Sequence, residues 1–317
     1  MIKNNMQQNI AEENSFYKLR TIVLTAIISL TYLLLSSVLV GFKTDQLILL
    51  LIFNSLFYIS SETRKFILGF SIFIVYWILF DYMKAFPNYL FNHVHLEDLY
   101  QLEKKLFGIH LNGLLLTPNE YWKLNTSHFL DVITGFFYLM WVPVPLAFAT
   151  YLFFKNRTQF VYFSLTFVWV NLLGFVIYYA FPAAPPWYVQ EHGFKFIPGT
   201  IGNTAGLSRF DHYFNIHLFQ GIYTKGSNVF AAMPSLHSAY PIIVFYYGIK
   251  NKLGLVNLFF VVVMLGIWFA AVYNSHHYIL DVLAGIMCSI VAIVTLNLFF
   301  GIKVFKFWFH RFLRSII

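Results

Sequence analysis

Eight stretches of this sequence are apolar and nearly free of charge over lengths that approach a membrane span. A helix rises 1.5 Å per residue, so it needs about 20 apolar residues to cross roughly 30 Å of hydrocarbon. The candidate stretches are residues 20–42, 46–60, 66–83, 129–153, 159–181, 234–250, 254–274 and 277–300. Because 59% of the 317 residues are hydrophobic and only 11% are charged, the sequence predicts an all-α, polytopic integral membrane protein. The second and sixth stretches are short, and a re-entrant segment is the alternative for each.

The lysines and arginines indicate which side of the membrane each loop faces. With the N-terminus inside, thirteen of the 21 basic residues fall on the cytoplasmic side, as the positive-inside rule requires. The short loops "SETRK", "KNR" and "KNK" are all among them. The net charge of +8 therefore reports membrane topology, and no nucleic-acid partner is expected.

We divide the chain into four parts. Residues 1–19 form a polar cytoplasmic segment without the apolar run of a signal peptide. Residues 20–126 contain three spans and an interfacial amphipathic segment, and residues 127–301 form the expected catalytic core. Residues 302–317 form a basic amphipathic tail, which we expect to bind anionic lipid. The single Cys288 excludes an internal disulfide, and the sequence does not indicate the oligomeric state.

The interfacial segment carries two helix signals. "HLEDLYQLEKKLFGIHL", residues 95–111, places apolar and charged residues at helical spacing, which predicts a helix in the plane of the interface. In "TPNEYWKL", Thr117 and Glu120 form a capping box, with Pro118 at the first helical position. The segment either shapes the membrane surface or covers a site.

Two polar motifs interrupt the apolar sequence, "FAAMPSLHSAYP" and "YNSHHYILDVLAG". In the predicted topology, His237 and His277 lie at the outer ends of the sixth and eighth spans. Asp281 follows His277 by four residues, which is one turn along the same face of a helix. His276 is offset from that face. Ionisable residues at such positions indicate a functional site.

These residue types suit nucleophilic catalysis. A neutral imidazole is a competent nucleophile near pH 7, and a carboxylate that accepts from its other ring nitrogen fixes the tautomer. A second, protonated histidine can donate to a departing alkoxide. Attack on phosphorus would give a phosphohistidine, with no metal or other cofactor required. A His-x-x-x-Asp pair alone is also compatible with a metal half-site or a capping pair, but no matching ligand set lies on another predicted helix.

The motifs "PSLHS" and "HHYILD" resemble the second and third signature motifs of the type-2 phosphatidic acid phosphatase superfamily. The resemblance implies that His277 is the nucleophile and that Asp281 orients it. It also implies that His237 is the general acid.

The sequence departs from the ordinary phosphatases of that superfamily. Gly174 and Phe181 occupy the expected positions of a lysine and an arginine, and Ala270 and Ala271 replace a Ser-Arg pair. Instead, "FPAAPPWY" and "GNTAGLSRFD" resemble the inositol phosphorylceramide synthase branch, in which a phosphorylated head group moves from a phospholipid to ceramide. The resemblance covers residues 127–301.

A phosphodiester carries a negative charge that its site must stabilise. Arg209 and Lys225 lie in the outside loop before the sixth span. Arg209 is the stronger candidate, because it lies in the stretch "GNTAGLSRFD", and a guanidinium can bind phosphate through two parallel hydrogen bonds. Ordinary contact with lipid head groups is the alternative. Ser235 and the backbone N–H groups that open the sixth span are expected to add hydrogen bonds.

Further candidates lie close to these motifs in the sequence. Pro185 begins a rigid corner that presents Trp187 and Tyr188, either to substrate or as an aromatic pair in the membrane interface. Asp131, near the outer end of the fourth span, either orients a polyol head group or makes a structural hydrogen bond.

The sequence therefore predicts a lipid phosphotransferase. We expect it to move a phosphorylated head group from a glycerophospholipid donor to a ceramide-like acceptor, releasing diacylglycerol. Inositol phosphate is the favoured head group, and another polyol phosphate or an arabinosyl-type group is the alternative. We expect the site on the non-cytoplasmic face, periplasmic in a bacterial inner membrane or luminal in a Golgi membrane. A lipid phosphatase, with water as acceptor, is one alternative. A non-catalytic transporter or scaffold is the other, although the ionisable residues cluster at one surface only.

Overall fold

The structure is a computed structural model that describes residues 18–224, 226 and 228–317. The predicted cytoplasmic segment therefore lies almost entirely outside the described residues. The helices are α1 (Leu19–Val40), α2 (Thr44–Ile59), α3 (Ser61–Tyr82), α4 (Glu97–Phe107), α5 (Pro118–Leu124), α6 (His128–Leu139), α7 (Pro143–Lys155), α8 (Arg157–Ala180), α9 (Pro186–His192), α10 (Ser208–Phe214), α11 (Leu218–Tyr223), α12 (Leu236–Lys250), α13 (Val256–Tyr273), α14 (Ile279–Phe299) and α15 (Lys303–Ile316). The strands are β1 (Ile109–Leu111) and β2 (Leu114–Leu116). The predicted all-α membrane fold is confirmed, with one small hairpin added.

Each predicted span corresponds to helical structure, but not every one is long enough to cross a membrane. Six helical segments of the described chain meet the length and hydropathy that a span needs. They are Leu19–Val40, Ser61–Ala85, His128–Lys155, Arg157–Ala180, Val256–Tyr273 and Ile279–Phe299. The second predicted span is a 16-residue helix and the sixth a 15-residue helix. The prediction of eight spans is therefore supported in full for six.

The fourth predicted span is interrupted. Helix α6 ends at Leu139, and α7 begins at Pro143 after a turn. Proline has no N–H group to donate, and its ring clashes with the preceding turn, so it is favoured at the first position of a helix, as at Pro143. The span predicted over residues 129–153 is thus supported as the segment His128–Lys155, with a turn between its two helices.

The structure divides into two compact units. The first contains residues up to Ala85 together with Val304–Ile317. Within it, the hydroxyl groups of Ser36 and Tyr82 lie 2.9 Å apart and join α1 to the end of α3. Such hydrogen bonds suit an apolar environment, where an unpaired hydroxyl is costly.

Helix α15 lies within the predicted amphipathic tail. Phe309, Leu313 and Ile316 are buried along one side, at the spacing of a helical stripe. Arg311 and Arg314 are exposed. Its binding to anionic lipid stays a prediction.

The second unit, Phe86–Lys303, is arranged around α12. This helix contacts α8, α13 and α14, and Tyr240, Ile243 and Tyr247 are almost completely buried. Because other helices surround it, α12 tolerates Pro241 in its interior and does not need the length of a lipid-exposed span.

The interfacial segment belongs to this second unit. The helix predicted over residues 95–111 is confirmed for Glu97–Phe107 but wrong beyond it, since β1 and β2 follow as a hairpin. Asn112 and Gly113 both have positive φ at its tip, as a two-residue hairpin turn requires. The capping box predicted at the start of α5 is confirmed. The boundary predicted at residue 127 stays a prediction about function, although the compact unit begins earlier.

Candidate active site

His277 lies in the short connection between α13 and α14 and is 7% exposed. Its Nδ1 donates to the carbonyl oxygen of Ala232 at 3.0 Å and lies 3.6 Å from Oδ2 of Asp281. The prediction that His277 and Asp281 share one face of a helix is wrong, because α14 begins only at Ile279. The two side chains are neighbours because the chain turns into the helix between them.

Asp281 is completely buried and caps the helix to which it belongs. Its Oδ2 accepts from the backbone N–H of Tyr278 at 2.8 Å, whereas Oδ1 has no hydrogen-bond partner among the described residues. The hydrogen bond from Nδ1 of His277 thus goes to the carbonyl oxygen of Ala232. The carboxylate of Asp281 lies farther from Nδ1 and acts on the ring through its charge. No group of three His, Cys, Asp or Glu in the described chain is arranged to hold a metal, and metal-independent chemistry stays a prediction.

A carboxylate from the interfacial segment holds the start of α14. Glu103 of α4 is completely buried and accepts from the backbone N–H groups of Ile279 and Leu280, at 2.9 and 3.1 Å. A negative charge at a helix N-terminus is stabilising. Burial nevertheless raises the pKa of Glu103 to about 7, and the carboxylate of Asp281 contributes to the shift.

Asn119 of α5 also supports the site from the interfacial segment. Its Nδ2 donates to the carbonyl oxygens of Val272 and His277, at 2.8 and 2.9 Å. Sequence reasoning missed both Asn119 and Glu103. For Glu103 a signal existed, because it lies four residues after the buried Leu99, on the inward side of α4.

His237 is the second residue of α12, and its ring centroid lies 5.7 Å from that of His277. The hydroxyl of Tyr138, from α6, lies 2.9 Å from Nδ1 of His237, and Trp141 packs against the ring at 4.4 Å. Trp141 is in the break between α6 and α7. The structure therefore brings the two predicted histidines together and adds two aromatic neighbours.

Ser235 joins α12 to α14. Its hydroxyl accepts from the backbone N–H of Ser238 at 3.3 Å as the N-cap of α12. Its own N–H donates to the carbonyl of Asp281 at 2.9 Å. Gly285 packs so closely that a Cβ there would collide with the carbonyl oxygen of Ser235. Ser235 is completely buried, and its predicted contact with phosphate stays a prediction.

The proline-rich stretch positions the carbonyl of Ala232. Ala183 forms short parallel bridges to His95 and Ala231, and its carbonyl accepts from the N–H of Ala232 at 3.2 Å. Pro185 then caps α9. Three separate segments of the chain thus fix the acceptor that orients His277.

Trp187 and Tyr188 lie inside the protein. They are 5% and 0% exposed, so the alternative of an aromatic pair in the membrane interface is wrong. The hydroxyl of Tyr188 donates to the carbonyl of Lys195 at 2.8 Å, and the N–H of Trp187 donates to the carbonyl of Ser275 at 3.0 Å. Substrate contact by the corner stays a prediction.

Arg209 and Asp131 form an ion pair. The Nε of Arg209 donates to Oδ1 of Asp131 at 2.6 Å, the same oxygen that accepts from the hydroxyl of Tyr273 at 2.8 Å. Nη2 of Arg209 lies 3.5 Å from Oδ1 of Asn274. Asp131 thus makes the structural hydrogen bonds that were one of its two alternatives. Lys225, the other predicted cation, lies outside the described residues.

His276 is separated from His237 by Tyr138, which packs against both rings. The ring of His276 lies 5.3 Å from that of Tyr138 and 4.5 Å from that of Tyr223. Its Nε2 donates to the carbonyl of Thr204 at 2.9 Å. Burial lowers the pKa of His276 to about 3, with a further contribution from His277, so its ring is neutral at physiological pH.

Close packing accounts for two departures from the phosphatase motifs. A Cβ at Gly174 would lie 2.7 Å from the side chain of Leu236, so α8 and α12 leave no room for a lysine there. The carbonyl of Ala271 accepts from the backbone N–H groups of His276 and His277, at 3.0 and 3.1 Å. Ala271 is completely buried, and an arginine at that position would have to displace its neighbours.

Residues 98–295 match the PAP2 superfamily, and this range contains both histidine motifs. The chain belongs to the PAP2 superfamily. The match begins within α4, so it includes Glu103 and Asn119 of the interfacial segment.

Among its relatives, this PAP2 protein is similar to sphingolipid synthases. It is 43% identical to the phosphoinositol dihydroceramide synthase of Bacteroides thetaiotaomicron over 86% of this chain and 90% of that protein. It is 30% identical to the inositol phosphorylceramide synthase of Candida albicans, over 60% of this chain and 39% of that protein. For the inositol phosphorylceramide synthase catalytic subunit AUR1 of Saccharomyces cerevisiae, the identity is 28% over 69% of this chain and 53% of that protein. No solved structure matches the chain.

The predicted resemblance to the inositol phosphorylceramide synthase branch is confirmed by these relatives. The prediction of an integral membrane enzyme of that type is confirmed with it. The alternative of a non-catalytic transporter or scaffold is wrong.

Proposed function

We propose that this protein transfers inositol phosphate from phosphatidylinositol to a ceramide-like alcohol and releases diacylglycerol. The pairing of His237 and His277 carries the proposal. Their rings lie 5.7 Å apart, close enough for both to contact one phosphoryl group. The similarity to a phosphoinositol dihydroceramide synthase over most of both chains supports the choice of donor and acceptor.

In the first step, Nε2 of His277 attacks the phosphorus. Because Nδ1 carries the hydrogen donated to Ala232, Nε2 holds the free electron pair. The N–P bond forms as the bond from phosphorus to the diacylglycerol oxygen breaks, and His237 donates a proton to that oxygen. Asp281, 3.6 Å from Nδ1, stabilises the positive charge that develops on the ring.

In the second step, the acceptor hydroxyl attacks the phosphorus of the phosphohistidine. Neutral His237 takes the hydroxyl proton while the N–P bond of His277 breaks, which restores both rings to their starting states. Water in place of the acceptor would release inositol phosphate and make the protein a phosphatase.

Arg209 is our proposed ligand for the phosphate. Its Nε is engaged by Asp131, which fixes the guanidinium, and its side chain is 28% exposed. Its remaining N–H groups are suited to phosphate oxygens. The backbone N–H groups at the start of α12, beside Ser235, offer further donors. Lys225 is proposed from its sequence position alone.

We propose that this site faces the non-cytoplasmic side of the membrane. The short basic loops at the opposite ends of the spans support this orientation. We also propose residues 127–301 as the part that carries the chemistry, supported from outside it by Glu103 and Asn119.

Purified protein in mixed micelles, given phosphatidylinositol labelled in its inositol ring, tests the proposal. We expect a labelled ceramide lipid and an equal amount of diacylglycerol when ceramide is present, and little of either product without it. His277→Ala should abolish both, whereas His212→Ala, a control at an exposed histidine, should retain full activity.

Two results would contradict the proposal. Rapid release of diacylglycerol without ceramide would favour the phosphatase. Full activity of His277→Ala would exclude the assigned nucleophile. Protein denatured at alkaline pH should also carry alkali-stable, acid-labile label when the phosphate is labelled, as a phosphohistidine does, and His277→Ala should carry none.

A further inference from the structure

A cavity of about 240 Å³ lies beside the junction that carries His277. Three of its lining residues contact the two residues before His277. The N–H of Trp187 donates to the carbonyl of Ser275, the carbonyl of Thr204 accepts from His276, and the ring of Tyr223 stacks on that of His276. The lining residues thus contact His276, the chain neighbour of the proposed nucleophile His277. Consecutive Cα atoms are about 3.8 Å apart.

Hydroxyl groups on the cavity wall are available as acceptors. The hydroxyl of Thr200 donates to the carbonyl of Ile197 at 2.7 Å, and that of Thr224 donates to the carbonyl of Gln220 at 2.8 Å. A hydroxyl that has donated its hydrogen keeps two lone pairs. Both threonines therefore offer oxygen acceptors of fixed direction.

Amide and carboxylate groups complete the polar lining. The Nδ2 of Asn203 donates to Oε1 of Glu191 at 2.7 Å, and the side chain of Gln220 adds a further amide. None of the described lining residues is a lysine or an arginine. The cavity thus suits a neutral group rich in hydroxyls and is unsuited to a phosphate.

The size of the cavity points the same way. Pockets for drug-sized ligands usually measure about 300–1,000 Å³, and this cavity is smaller. It has room for a single substituted ring, but not for the acyl chains of a phospholipid. A small polar cavity next to a phosphoryl-transfer site matches a head group joined directly to the phosphate.

We propose that this cavity binds the uncharged cyclic polyol of the donor head group, with the phosphate outside it toward His277. The inference rests on the proposed function and deepens it. It assigns recognition of the donor's ring to Glu191, Asn203 and Gln220, which donate to and accept from its hydroxyls. A site built to bond hydroxyls rejects head groups that lack them, because its own polar groups would be left unpaired.

Steady-state kinetics on the full-length protein test the assignment. Glu191→Gln and Gln220→Ala should each raise the KM for phosphatidylinositol about five- to tenfold, as expected for the loss of a hydrogen bond. Their kcat and their KM for ceramide should stay within twofold of wild type. Inositol 1-phosphate should inhibit both variants more weakly by the same factor. His212→Ala, in the same outside segment but away from the cavity, is the matched control.

A binding measurement separates this inference from the proposed function. Inositol 1-phosphate should slow amide hydrogen exchange in residues 200–204 and 220–224 of the wild-type protein, and Thr224→Phe, which fills the cavity, should abolish the effect. If wild type shows this protection but makes no ceramide product, the cavity assignment stands and the proposed function falls. Absence of protection, or an unchanged KM in both cavity variants, would overturn the cavity assignment even if transfer is observed.

Discussion

The hydroxyl of Tyr138 lies 2.9 Å from Nδ1 of His237. A hydroxyl can donate to a neutral imidazole and accept from a protonated one. The hydrogen bond therefore persists in both states of His237, which gives and then takes a proton in the proposed mechanism. We therefore expect Tyr138 to position His237 and not to touch the substrate.

Tyr138→Phe should lower kcat about fivefold while the KM for phosphatidylinositol changes less than twofold. The lost hydrogen bond contributes roughly 1 kcal/mol, and its loss leaves the His237 ring free to rotate. The matched control is Tyr247→Phe, which breaks a buried 2.7 Å bond to Thr166 away from the site. We expect that control to lose stability only; an equal fall in kcat would remove any specific role for Tyr138.

Glu103 predicts a pH dependence of folding stability. Its pKa is about 7 in the folded protein because it is buried, against about 4.3 for an unfolded glutamate. Between these values the folded protein holds a proton that the unfolded chain has lost. The stability from this group is thus present at low pH and is lost as the pH rises from about 4.3 to 7.

Thermal unfolding of wild type and Glu103→Gln between pH 4.5 and 8 measures this contribution. The difference in unfolding temperature, wild type minus variant, should fall as the pH rises from 4.5 to 8. His276, with a pKa of about 3, contributes in the opposite sense, since its stability is lost as the pH falls below 6.5. That contribution cancels between the two proteins. A constant difference in midpoint would contradict the assignment.

Gly285→Ala should destabilise the protein and reduce its activity. The added Cβ would collide with the backbone carbonyl of Ser235, so α12 and α14 must separate, at a cost of about 1–3 kcal/mol. Gly221→Ala is the control, because a Cβ at that helical glycine meets nothing within 4 Å. Denaturation midpoints and initial rates of both variants provide the comparison, and similar losses in the two would refute the packing argument.

Trp187→Phe should raise the ratio of hydrolysis to transfer. Trp187 is buried with Val94, Leu96 and Phe230, and a smaller ring admits water beside the phosphohistidine, where water competes with the lipid acceptor. Free inositol phosphate and labelled ceramide lipid, counted in one reaction, give the ratio. The control is Trp169→Phe, which removes the hydrogen bond from Trp169 on α8 to Thr295 on α14. It should leave the ratio of hydrolysis to transfer unchanged.

Cysteine labelling tests the orientation in the membrane. His212→Cys should react with an impermeant maleimide added to intact cells, and Lys155→Cys should react only after permeabilisation. Both positions are exposed on the protein, whereas the native Cys288 is buried and should give little background. The reverse pattern would place the active site on the cytoplasmic side.

The features predicted correctly from the sequence depend on patterns among residues that are close together in the chain. Apolar length predicts spans because the rise of a helix is fixed, and the Thr117 capping box depends on residues three apart. The juxtaposition of His237 and His277 followed from placing both at the same end of neighbouring spans. Their packing partners could not be found in this way.

The contacts that were not predicted join residues far apart in the sequence. Glu103 and its acceptor contact at Ile279 are 176 positions apart, and Tyr138 and His237 are 99 apart, so no local pattern connects them. The start of α14 was misplaced because Tyr278 caps it, and tyrosine is not a residue that usually marks a helix N-terminus.

The hydrogen bonds of Asn119 have a consequence for biosynthesis. Its acceptors, the carbonyls of Val272 and His277, are 153 and 158 positions further along the chain. A ribosome adds about 5–20 residues per second, so Asn119 is synthesised roughly 8–30 s before its partners. The earlier helices enter the bilayer during that interval without a completed catalytic centre. The growing polypeptide is thus surrounded by phospholipid, the donor class of the proposed reaction, before its site is assembled.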